Sequence, residues 1–114
     1  VTPNDKKTPG GRQLVKHIVM WRLRDFAAGA TKIENCRKLK AKLEVLPAVI
    51  PDLEWLEVGI NFDSSAAAFD VALTATFEDV RALRRYQAHP EHQKLVNEFL
   101  KEVRTEKIVV DYEF

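Results

Sequence analysis

The stretch His17-Ile18-Val19-Met20-Trp21 decides the fold. β-Branched and aromatic residues dominate it, so it reads as the centre of a strand over residues 14–24. Alternate side chains of a strand point to opposite faces. His17, Val19 and Trp21 therefore share one face, and Ile18 and Met20 the other. Both faces are apolar, which marks a strand buried on both sides. Ile108-Val109-Val110 repeats the pattern near the end of the chain, inside a last strand expected over 106–114.

Between these strands the elements follow in order. Thr31 and Glu34 form a capping box, each satisfying a free backbone N–H at a helix start. Ile33, Cys36, Leu39, Leu43 and Leu46 then recur at helical spacing, and Pro47 should end the helix at Leu46. A second strand is expected over 53–62, with Leu56, Val58, Ile60 and Phe62 on one face. Residues 61–65 supply turn chemistry. A third strand over 69–77 alternates Phe69, Val71, Leu73, Ala75 and Phe77 against smaller polar residues. Asp79 caps a helix carrying Val80, Leu83 and Tyr86 on one side. Pro90 interrupts it and opens a new helix with His89 as its cap; His92, Leu95, Val96, Phe99 and Val103 should point inward.

The order is β-α-β-β-α-β, the ferredoxin-like pattern: an α+β fold with a four-stranded antiparallel sheet and helices on one face. Those helices cover one side of a sheet that is oily on two. A second copy of the same sheet is the expected cover, giving a homodimeric α+β barrel.

Size and composition agree with one globular domain. The chain has 114 residues, 46% of them hydrophobic and 31% charged, with 18 basic against 17 acidic side chains and a net charge of +1. That balance predicts no attraction to nucleic acid or to an anionic membrane, and no apolar run is long enough for a membrane span. Residues 1–13 are polar and rich in Pro, Gly, Thr and Lys. They lack the apolar core of a signal peptide and read as a flexible N-terminal arm or a remnant of processing or cloning, ahead of a domain over 14–114. The single cysteine, Cys36, excludes an intramolecular disulfide and falls on the apolar side of a helix. A cytoplasmic setting is expected.

Chemistry concentrates in Tyr86-Gln87-Ala88-His89-Pro90-Glu91-His92. His89 and His92 lie three apart, but a metal needs further ligands and His89 is committed as a cap, so no metal is expected. His92 falls in the first turn of its helix on the inward side, where the helix dipole disfavours imidazolium. A neutral, partly buried imidazole suits a general base, and the Tyr86 phenol suits a carbonyl oxygen or a developing enolate. The same residues could equally be packing at a helix junction. Trp21 and Trp55 are read as core. No phosphate loop, CxxC, GxSxG or nucleotide fingerprint is present, and no cofactor is expected.

Several of these stretches resemble one family. Val15-Lys16-His17-Ile18-Val19-Met20-Trp21 is similar to the "VKHxV" first strand of stress-responsive A/B barrel (Dabb) domains. Leu56-Glu57-Val58-Gly59, Thr76-Phe77-Glu78 and Val110-Asp111-Tyr112 resemble later strands, and Tyr86 to His92 resembles the family's "YxxHPxH" junction. The resemblance implies a dimeric α+β barrel without a cofactor. One plant member type is a polyketide cyclase. By position, the resemblance implies Tyr86 as the carbonyl-holding phenol, His92 as the base and His17 as a pocket-lining residue. The chain departs from the cyclase at Trp21, whose bulk would take space that a long alkyl tail needs.

Three functions follow as alternatives. One is a homodimer of unresolved role that holds a small apolar or aromatic carbonyl compound against His17, Val19, Trp21, Leu73 and Phe99. The second is an enzyme in which His92 removes a proton next to a carbonyl while Tyr86 steadies the oxygen. The third is a structural stress protein, its core packed solid by Trp21 and Phe99.

Overall fold

The computed structural model describes residues 13–114, and its elements follow the expected order. They are β1 (Val15–Leu23), β2 (Phe26–Ala27), β3 (Ala30–Thr31), α1 (Lys32–Glu44), α2 (Leu46–Val49), β4 (Leu53–Ile60), β5 (Val71–Phe77), α3 (Val80–Ala88), α4 (Pro90–Leu95), a π-helical turn (Val96–Leu100), α5 (Lys101–Val103) and β6 (Arg104–Glu113). Apart from Gln13, the arm expected at the N-terminus lies outside the described residues.

The four long strands form one antiparallel sheet in the order β4-β5-β1-β6, the ferredoxin-like arrangement. β1 sits inside it, with Val19 opposite Leu73 of β5 and Val109 of β6. Val15, His17, Val19, Trp21 and Leu23 are buried and face the helices, meeting Leu39, Leu43, Leu83 and Tyr86 in the core. The register puts Ile18 and Met20 on the opposite face with Trp55, Ala72, Ile108, Val110 and Tyr112. That second face stays open in the single chain: Met20 is 41% exposed and Val110 53%.

Caps behave as the chain predicts. Thr31 and Glu34 form the reciprocal capping box, and Asp79 accepts the Ala82 N–H at 2.8 Å. Cys36 is buried. β4 carries a register shift between Leu53 and Trp55. Strict alternation would turn Leu53 away from Leu56 and Val58. The irregularity re-aims it, so Leu53 and Val58 are both buried.

Several expectations are corrected. α1 ends at Glu44, and Pro47 falls in the first turn of the short helix α2, where its missing N–H breaks no hydrogen bond. Phe62 lies beyond β4 and is fully exposed, because Asn61 turns the chain: its Oδ1 accepts the Asp63 N–H at 2.7 Å. β5 starts at Val71, leaving Phe69 against the Arg22 guanidinium, 4.4 Å from the ring centre. Ile33 and Val80, each in the first turn of its helix, are exposed. The π-helical turn closes its hydrogen bonds over one more residue than an α-helix and shifts the helical phase, so Phe99 and Leu100 are both buried while Val96 is only half-buried. The β2–β3 hairpin was not expected. Ala28 and Gly29 give it two successive positive φ angles, 50° and 72°. Buried Asn35 anchors it, donating to the Ala27 carbonyl at 2.9 Å.

A pocket at the broken helix

Pro90 creates the site. The residue before a proline is held extended, so α3 stops and His89 takes φ −64°, ψ 138°. The His89 Nδ1 then accepts the Glu91 N–H at 3.1 Å and starts α4. A stopped helix leaves orphan carbonyls at its end. The Gln87 carbonyl accepts from the Gln93 side chain at 2.7 Å and from His92 Nδ1 at 3.1 Å. The break thus folds His92 back over Tyr86, with ring centres 4.6 Å apart.

This contact settles where the His92 proton sits. A carbonyl only accepts, so Nδ1 must carry the hydrogen, and in the neutral ring Nε2 keeps a lone pair. Burial lowers the His92 pKa from the ordinary 6.5. The Gln87 carbonyl opposes that shift, while the Lys107 ammonium adds to it. At neutral pH the ring is a free base.

Tyr86 is 1% exposed, and burial pushes its phenol far above the usual range, so the hydroxyl keeps its proton. The ring is wedged against Phe77 and His17, with centres 5.0 and 6.1 Å away. Its hydroxyl makes no hydrogen bond among the described residues. His17, buried on β1, donates from Nδ1 to the carboxylate of Asp111, its direct cross-strand neighbour on β6.

These groups surround a cavity of about 100 Å³ between the sheet and the helices. Six of the seven expected residues line it: His17, Val19, Trp21, Leu73, Tyr86 and His92. Phe99 does not. The π-helical turn directs it to a separate hollow beside Val45 and Leu46, where Lys42 Nζ lies 5.2 Å from its ring centre. The space is smaller than a long alkyl chain requires, since Trp21 faces the helices and occupies part of it. Leu43, Leu95 and Leu100 complete the apolar wall, and Arg104, Lys107 and Val109 close the β6 side. Among the described residues, no group of three or more His, Cys, Asp or Glu side chains could hold a metal.

Sequence reasoning missed the Gln87 carbonyl and the β6 residues Arg104, Lys107 and Asp111. Parity along β6 places 107, 109 and 111 on one face, but only the register with β1 shows that it is the His17 face.

Residues 15–114 match the family model described as the stress responsive A/B barrel domain. The chain belongs to that family. An uncharacterized protein from Streptomyces coelicolor is 32% identical over 104 residues, covering 89% of this chain and all of the relative. A dimeric protein of unknown function and ferredoxin-like fold from Bacteroides fragilis is 34% identical, with a TM-score of 0.76 over 89% of this chain and 96% of its own. A hydroxynitrile lyase from Passiflora edulis shares the fold with a TM-score of 0.74, covering 90% of this chain and 94% of the lyase, at 19% identity.

Proposed function

We propose that this A/B barrel protein is a cofactor-free homodimer in which each subunit moves a proton at a carbon next to the carbonyl of a small molecule. The observation that carries the proposal is the His92 ring: its Nδ1 is held by the Gln87 carbonyl, which leaves Nε2 the lone pair, and it lies against the Tyr86 ring at the cavity wall. In this scheme the substrate C–H bond breaks and its proton moves to His92 Nε2. The electron pair spreads onto the carbonyl oxygen, where the Tyr86 O–H donates to it. Returning the proton to the same or a neighbouring carbon gives exchange or isomerisation. The cavity supports a ligand-holding role over a solid core, and its volume limits the ligand to a few carbons. The likeness to the lyase is one of fold and adds nothing to the choice of reaction. The apolar open face of the sheet and the dimeric state of the Bacteroides fragilis protein support the homodimer.

Incubating the protein in D₂O with a panel of small aldehydes, ketones and oxo acids tests the chemistry, because exchange next to the carbonyl is visible by proton NMR whatever the later fate of the substrate. At least one compound should exchange faster than in buffer. His92→Gln should cut that rate about 100-fold or more, and Tyr86→Phe about 10-fold or more, with both variants folded. Exchange no faster than in buffer throughout the panel, or full activity in His92→Gln, would remove the proposal.

A further inference from the structure

The β6 side of the cavity carries charge that the proton-transfer scheme does not use. Lys107 lies opposite Trp21 in the sheet register and Arg104 opposite Leu23, so both belong to the helix-covered face, and both line the cavity. Elsewhere in the chain Arg22 pairs with Glu106 at 3.0 Å, Lys32 with Asp25 and Asp70 at 3.5 Å, and Arg85 with Asp52 at 3.1 Å. The side chains of Arg104 and Lys107 have no ion pair or hydrogen bond among the described residues. Among the described residues, no Asp or Glu lines the cavity. Asp111, on the same face of β6, is taken up by His17. A third donor is also unanswered: Trp21 lines the cavity, is 4% exposed, and its buried indole N–H has no acceptor among the described residues. The site is therefore rich in donors and positive charge, with no negative group among the described residues to balance them.

We infer that the ligand of this cavity is a small carboxylate, anchored by Lys107 and Arg104 on the β6 side with its uncharged part against Trp21, Tyr86 and His92. The inference rests on the cavity being the substrate site. It narrows the proposed carbonyl compound to a short oxo acid, with the carboxylate as handle and the carbonyl for Tyr86. Each cation would give the carboxylate a charge-assisted hydrogen bond, stronger than a neutral one.

Calorimetric titration with monocarboxylates of two to six carbons, short oxo acids included, tests this against the neutral methyl ester of each. The acids should bind and the esters should bind at least about tenfold more weakly. Added salt should weaken the acids and leave the esters unchanged. Lys107→Gln and Arg104→Gln should each raise Kd for the acid by a similar factor without affecting the ester, and Lys107→Arg should restore most of it. Lys107 is exposed, so its replacement does not threaten folding. Equal binding of acid and ester, no binding of any acid, or unchanged affinity in both glutamine variants would overturn the inference. Failure here is distinct from failure of the proton-transfer reading. Acids that bind without exchange keep the anchor and remove the chemistry. Neutral ketones that exchange with no preference for a carboxylate do the reverse.

Discussion

His92 joins stability to chemistry through one proton. Its pKa is depressed in the folded chain relative to the ordinary 6.5. Above that value both folded and unfolded chains carry a neutral ring, and the site costs nothing. As pH falls below it, the unfolded chain takes up a proton that the folded chain refuses until lower pH. The folded state then binds fewer protons, and stability declines with acidification. Urea unfolding at pH 7 and pH 5 should show a steeper loss for the wild type than for His92→Gln, which has nothing to titrate there. Identical slopes would mean that the ring is not held neutral. The same ionisation should shape activity: deuterium exchange should have an acid limb whose midpoint lies below 6.5, because only the free base accepts the substrate proton.

At the scale of elements, the broken helix α3–α4 is the working part, and its two caps have separate duties. Asp79 holds the start of α3, the helix that carries Tyr86. Asp79→Ala should cost about 1 kcal/mol and lower Tm by a few degrees, with the pocket chemistry retained at temperatures where the protein stays folded. A much larger loss would show that α3 has no other anchorage in the core, contrary to the burial of Ala82, Leu83 and Tyr86. The second break, at Pro90, was legible from the proline alone. Its consequence for the Gln87 carbonyl was not, because an orphaned backbone acceptor leaves no mark on residue type. The π-helical turn was equally silent. Helical periodicity carried Phe99 into the pocket, and one extra residue in the turn directs it to the Lys42 hollow.

For the whole molecule, the open face of the sheet decides the assembly. Ile108, Val110, Met20 and Trp55 stand on it half-exposed, a set of large apolar groups that the proposed dimer would cover. Val110→Glu should place a charge from each subunit in the proposed interface and give a folded monomer by light scattering, against a wild-type dimer. A monomeric wild type would remove the assembly from the proposal. A dimeric variant would place the interface elsewhere.

Alternation and caps were enough to order the elements, because each is a local pattern of residue types: Thr31 with Glu34, Asp79, His89 with Pro90, and the two-sided apolar runs of β1 and β6. They also singled out His17, Tyr86 and His92 as chemically able residues. Only the folded chain could bring those three together, since register and the helix break act between residues far apart in sequence. His17 meets Asp111 across 94 positions, and the cavity takes its two cations from β6, a strand whose side chains mark no function until β1 is laid beside it.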